Sequence, residues 1–414
     1  MTLDPVHFDG IAQLAGRISQ QVDATDHDSF AETVFEEFLD PLWYDGRRVI
    51  EPVGELRRRR IDAEDAALQE APFPTQHGLD SGTINPTTFT NGLVLDVAQA
   101  AMAAVPSELD LHRARSVVAT VHSNDATVDC GEDDWTVFDG GYSRGRILQA
   151  PHVNRYEEAV VHALSLYLAE VTHARTQSEV VDDLLILDGP IYPKGLLAWA
   201  DRHPELADLL IEDERPRDVI EGYVELVETF ADRGVPLVGF VKNSASKAIT
   251  RAVRNKERAP WVDDGAFFER ALRRTDDEGE TRTDCLTFTN WFVSRCGVDE
   301  PLSADGDAVG VERERDPDDY EVTFFCIYDP RDELLFRVEA PAVFTRDETT
   351  REAITMQLLR DVAHERGPPL AVAKADELAR ISREEKAALG RAIEERFDAE
   401  RDRSYDDERW GLVA

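Results

Sequence analysis

Lysine is almost missing from this sequence. Of 46 basic residues, only Lys194, Lys242, Lys247, Lys256, Lys374 and Lys386 are lysine; the rest are arginine. Against them stand 84 acidic residues, for a net charge of −38, spread along the chain rather than gathered in a tail. An acidic excess with lysine nearly removed points to adaptation to molar intracellular salt. Such a charge would ordinarily exclude nucleic acid, because binding rests on neutralised phosphates. At about 1 M salt, however, the Debye length is roughly 3 Å, so only local contacts count. Local basic clusters then decide.

Other shortages exclude more. The four cysteines (130, 285, 296 and 326) are far apart, with no Cys-x-x-Cys pair and no histidine at zinc spacing. They are expected as buried small hydrophobes in a reducing compartment. The first residues are polar and acidic, without a signal-peptide pattern, and no run approaches the ~18 apolar residues of a membrane span. The expectation is a soluble, cytoplasmic protein. No Gly-x-x-x-x-Gly-Lys-Ser/Thr occurs, so a nucleotide-driven motor would have to be a separate protein.

What is present reads as α/β. Apolar residues at three- and four-residue steps (Phe8, Ile11, Leu14, Ile18; then Phe30, Val34, Phe38) predict a helical region over residues 1–70. It contains Arg57–Arg60, which is either a phosphate-contacting patch or a set of partners for nearby acids. The stretches at 78–83, 92–96 and 115–122 predict adjacent antiparallel strands, the first carrying Asp80. A long helical pattern over 153–176 places Glu170 beside an apolar face, with Glu157 and Glu158 competing for its role. The run Leu184–Leu187 is too short for a helix and reads as a strand buried on both faces. It ends in Asp188-Gly189-Pro190, where glycine and proline enforce a turn. A helix over about 216–233 and a second apolar strand, 235–242, follow. Strand, helix and strand in this order imply parallel pairing through a right-handed crossover.

Lys242 leaves that second strand and opens the clearest basic segment: Lys247, Arg251, Arg254, Lys256 and Arg258, opposed only by Glu257. Ser246 would cap a helix presenting Lys247, Arg251 and Arg254 on one side, suited to phosphate contact. Residues 285–294 read as one strand and 301–319 as an acidic loop. A hairpin around Asp329–Asp332 follows, then helices over 347–366 and 382–396, then a polar tail of about a dozen residues.

Asp80 on a first strand, Glu170 on a following helix and Asp188 at a later strand's end stand in the order of ribonuclease-H-like nucleases. Phosphodiester hydrolysis of that type uses two divalent ions about 3.5–4 Å apart. Hard oxygen ligands suit Mn²⁺ or Mg²⁺. The lysines that remain, Lys194, Lys242, Lys247 and Lys374, lie in or beside these segments, where a compact ammonium would meet phosphate.

Five motifs in this order, Leu79-Asp80-Ser81-Gly82, Leu168-Ala169-Glu170, Leu187-Asp188-Gly189-Pro190, Gly239-Phe240-Val241-Lys242 and Arg337-Val338-Glu339-Ala340-Pro341, resemble the archaeal NurA nucleases over roughly residues 75–380. The resemblance implies a ribonuclease-H-like core with a mixed sheet (71–300), a C-terminal hairpin and helices (301–414), and a ring-shaped homodimer. It further implies Mn²⁺-preferring hydrolysis of DNA in double-strand break repair, beside a HerA-type hexameric translocase. Carried over, Asp80, Glu170 and Asp188 are metal ligands, and Lys242 touches phosphate or orients the site. Two departures stand out. Asp-Ser-Gly replaces the usual Asp-Gly-Ser, and the late Tyr and His of the family read Arg366 and Lys374. The rival reading is a non-catalytic module of the same fold that clamps DNA or docks a translocase.

Overall fold

Apolar and β-branched runs form fourteen strands in the computed structural model, which describes residues 5–19, 24–125, 127–129, 131, 134–151, 158–202, 204–244, 246–254, 259–276, 278–303 and 310–402. In chain order they are β1 (Leu42–Tyr44), β2 (Arg47–Pro52), β3 (Arg58–Asp62), β4 (Gln76–Thr88), β5 (Leu93–Val105), β6 (Arg115–Ser123) and β7 (Thr136–Phe138). Then come β8 (Ser143–Gln149), β9 (Leu184–Asp188), β10 (Leu237–Val241), β11 (Cys285–Thr289), β12 (Phe292–Ser294), β13 (Val322–Asp329) and β14 (Leu334–Pro341). They join in one mixed sheet, ordered β1-β2-β12-β13-β14-β10-β9-β4-β5-β6-β8-β7, with β11 and β3 branching from β13.

The middle of this sheet positions the site. Leu184, Leu185 and Ile186 are fully buried and Leu187 nearly so; each contributes about 1.5–3 kcal/mol by leaving water. β9 pairs in parallel with β10 on one side and β4 on the other. β4, β5 and β6 follow one another antiparallel, as their spacing predicted. The β9–β10 crossover runs through helix Glu214–Arg233, which Asp213 caps at its start and Gly234 ends in a left-handed turn.

Several expectations fail locally. The helical N-terminal region ends at Phe38, and residues 42–62 supply β1, β2 and β3 to the main sheet. The amphipathic period of the first helices does not extend past them, and alternation takes over. Residues 285–294 form two strands, because Asn290 and Trp291 turn the chain between partners β3 and β2. The excursion after β6 contains β8, which pairs in parallel with β6. Ser246 does not cap the helix Ala248–Arg254. Its hydroxyl donates to Asp264 Oδ2 (2.7 Å), and buried Asp264 accepts the amides of Ile249 (3.2 Å) and Thr250 (2.9 Å). A helix missed in the sequence, Leu370–Ala379, lies across β4. The polar tail from 403, Cys130, Glu157, Lys256 and Arg258 lie outside the described residues, as does the Glu158 side chain. Among the described residues no helix is long and apolar enough to cross a membrane.

Candidate metal centre

Glycines on either side of Asp80 create the site. Gly78, Asp80 and Gly82 share one face of β4, since side chains alternate along a strand. A Cβ at Gly78 would stand 2.2 Å from the carbonyl oxygen of Ala371, and one at Gly82 would stand 2.1 Å from that of Ala379. Only glycine lets the helix Leu370–Ala379 lie this close. The helix answers with its own small residues, Ala371, Ala375 and Ala379, one turn apart and all buried. Gln99 Nε2 satisfies the carbonyl of Ala379 (2.9 Å). Docked this way, the helix brings Asp376 to Asp80.

Asp188 arrives from the neighbouring strand. Leu79 pairs with Leu187 in the parallel ladder, so the next residues, Asp80 and Asp188, point to the same face. Carboxylate oxygens of Asp80, Asp188 and Asp376 all lie within 4.8 Å of one another. Lys242, at the end of β10, donates from Nζ to Asp188 Oδ2 at 2.6 Å.

Three acids share one ammonium here, and Asp80 and Asp188 are both raised. Burial, reinforced by the charge of Asp188, pushes Asp80 up to about 8. Burial also raises Asp188, against the pull of Lys242. Protons held this tightly mark a site short of positive charge. An all-carboxylate donor set from three rigid elements fits a hard divalent cation, whose charge would supply what is lacking.

Glu170 stands apart from the three. Ser81 points to the opposite face of β4 and donates to Glu170 Oε1 (2.5 Å), while Tyr223 OH donates to Oε2 (3.0 Å). Burial raises Glu170 to about 7 despite both hydrogen bonds, with the Asp188 charge adding to it. The serine that departs from the usual motif therefore serves to fix this glutamate in place. Each oxygen keeps a second lone pair for an ion or a water.

The remaining expected residues separate. Lys194 is not open to phosphate. Its Nζ lies 2.6 Å from Glu339 and 2.7 Å from Asp299, and Arg337 lies 2.7 Å from Glu339 and 3.2 Å from Asp299. Burial alone would raise Asp299, but Lys194 and Arg337 hold it below the usual carboxylate range. Lys194, expected at phosphate, thus has its ammonium between two carboxylates. The same Glu339 accepts the amide of Ile191 (3.4 Å), so the quartet fastens the turn that follows Asp188. Gly239 leaves room for that turn, whose Gly189 oxygen lies 2.6 Å from where a Cβ would be.

Lys374 is two residues from Asp376, about 200° around the helix. It donates to Ser107 Oγ (3.1 Å) rather than joining the carboxylates. Arg366 adopts a left-handed turn (φ 54°) and pairs with Asp332. Lys247, Arg251 and Arg254 remain exposed, Arg254 donating to the carbonyl of Trp261 (3.0 Å). Asp376 was the residue missed. Its signal was the alanine repeat at 371, 375 and 379, matched to Gly78 and Gly82.

The fold compares with solved structures. The crystal structure of the NurA nuclease from Sulfolobus solfataricus is similar at 11% identity and a TM-score of 0.51, covering 96% of this chain and 98% of that one. A crystal structure of NurA bound to dAMP and manganese gives 10% identity and a TM-score of 0.38, over 78% and 89% of the two chains. No curated protein matches the chain. Residues 74–381, well over half of the sequence, match the family model described as the NurA domain, and the chain belongs to the NurA family.

Proposed function

We propose that this protein is a metal-dependent deoxyribonuclease built on a ribonuclease-H-like core. The convergence of Asp80, Asp188 and Asp376 within 4.8 Å carries the reading; family membership supports it. These three would hold Mn²⁺ or Mg²⁺, with Glu170 held close behind β4 by Ser81 and Tyr223. When bound, the metal supplies an activated water and charge stabilisation at the leaving oxygen.

The chain's own residues do the rest. β4, β9 and the helix Leu370–Ala379 fix the three aspartates before any ligand arrives, so little reorganisation opposes binding. Lys242 balances Asp188 and meets a phosphate oxygen as a compact point charge. Ser81 and Tyr223 hold Glu170 in one orientation, and the buried turn at Ile191 keeps Asp188 from drifting. Lys247, Arg251 and Arg254 offer exposed cations to the DNA backbone.

We extend the proposal to the finer readings of the family resemblance. These are 5′–3′ exonuclease action with endonuclease activity, end resection in double-strand break repair, a homodimer, a HerA-type ATPase partner and a cytoplasmic location. The test is cleavage of end-labelled DNA with Mn²⁺ or Mg²⁺ in molar KCl. Cleavage that disappears in Asp80→Asn and in Asp188→Asn supports the enzyme. DNA binding without cleavage in the wild type would replace it with the clamping module.

A further inference from the structure

The Arg57–Arg60 run has a place in the structure that the aspartate site does not use. Arg58, Arg59 and Arg60 on β3 meet Arg273 and Arg274, at the end of the helix Asp264–Leu272, across a groove of about 400 Å³ that also takes in Glu32. Glu32 is the one carboxylate in its lining, and Glu36, Glu352, Glu269 and Glu333 pair with three of the five guanidinium groups from outside it.

The five are not equivalent. Arg58 pairs with Glu32 (2.5 Å) and Glu36 (3.0 Å), and its other nitrogen donates to the carbonyl of Ala271 (3.1 Å). Arg59 pairs with Glu352 (2.8 Å) and lies over the Phe288 ring. Arg273 pairs with Glu269 (2.7 Å). These three build the walls. Arg60 and Arg274 are exposed, and among the described residues no carboxylate lies within ion-pair distance of either.

We propose that this groove is an accessory phosphate-binding site for a DNA strand, with Arg60 and Arg274 as its two contacts. The forked guanidinium matches phosphate oxygens in pairs. Contacts this short survive high salt, whereas the repulsion of distant surface acids does not. From β9 the sheet passes β10, β14, β13 and β11 to reach β3. At about 4.8 Å per strand that is about 24 Å, or about seven base pairs of duplex. DNA engaged at the aspartates reaches the groove only if it is longer than this. The choice of DNA as the strand rests on the nuclease reading; the site itself does not.

The experiment is equilibrium binding of labelled duplexes to the full chain without divalent ions, so that nothing is cut, across a KCl series. The double variant Arg60→Gln/Arg274→Gln is expected to bind a duplex several times longer than the span about tenfold more weakly. Its salt slope should be shallower by about 2, since each lost phosphate contact removes about 0.9. The Arg60→Lys/Arg274→Lys pair should recover most of the loss. Unchanged affinity for long DNA in a variant that melts like the wild type overturns the proposal. If the double variant melts early, Arg274→Gln alone is read, at about threefold. A wild type that binds long DNA through these two arginines but cuts nothing with Mn²⁺ or Mg²⁺ sinks the nuclease reading and leaves the groove standing.

Discussion

Two carboxylate clusters flank the turn from Gly189 to Pro193, and they differ in balance. On one side Asp299 and Glu339 meet Lys194 and Arg337, two charges against two, all buried or nearly so. On the other side Asp80, Asp188 and Asp376 meet Lys242 alone. Asp299 is held below the ordinary carboxylate range by its cations, whereas Asp80 is pushed up to about 8 by burial and its neighbours. The first cluster has no charge left to give a ligand, and the second has three carboxylates against one ammonium. Similar side chains are thus charge-balanced in one place and short of positive charge in the other. The shared turn couples them, since Glu339 accepts the amide of Ile191 three residues beyond Asp188.

The difference between the clusters should be most visible in activity. Asp376→Asn should lower nuclease rates by more than the ~10–100-fold typical of residues one shell removed from a metal. It should leave the metal-free protein at least as stable as before, because it removes repulsion. Rates come from single-turnover cleavage and stability from urea melts. In the balanced cluster the effects invert. Glu339→Gln leaves Lys194 and Arg337 sharing a single carboxylate and should cost about 3–5 kcal/mol of stability, read as a shift in the denaturation midpoint. Any loss of rate there should follow from a looser Asp188 and appear as weaker metal affinity.

The pH dependence of the metal-free protein extends the contrast. Native Asp80 holds its proton up to about 8 and Glu170 up to about 7, whereas unfolded carboxyls release theirs near 4. Between those limits the native state binds more protons than the unfolded one, so stability falls as pH rises through that window. The fall scales as about 1.4 kcal/mol for each tenfold difference in proton affinity between the two states. Asp80→Asn should flatten it, and a divalent ion should reverse it. Denaturation midpoints at a series of pH values, with EDTA and with Mn²⁺, test all three. The smallest effect belongs to Ser81→Ala, which removes one hydrogen bond to Glu170, worth about 1.5–3 kcal/mol if the acceptor is charged. It should leave binding at the three aspartates unchanged while lowering activity several-fold.

Sequence pattern was a good guide wherever local rules governed. The run Leu184–Leu187 announced a strand buried on both faces, and Asp80 and Asp188 came together because two parallel strands carried them in register. What was illegible depended on contacts between distant segments. The helix Leu370–Ala379 has a short and weakly patterned sequence after Gly367-Pro368-Pro369. Its site role becomes clear only when its alanines are set against Gly78 and Gly82. Lys194 looked like a retained phosphate ligand, because its partners Asp299 and Glu339 lie more than a hundred residues away. Ser246 looked like a helix cap, but Asp264 from the next helix fills that place with two backbone hydrogen bonds.

The central claim is that Asp376 completes a metal site with Asp80 and Asp188. Calorimetric titration of Mn²⁺ into the wild type and Asp376→Asn, with Asp332→Asn, an exposed acid paired with Arg366, as a control, tests it directly. A saturable site is expected in the wild type and the control, with its loss or a weakening of at least tenfold in Asp376→Asn. Unchanged Mn²⁺ affinity in a correctly folded Asp376→Asn protein would contradict the claim.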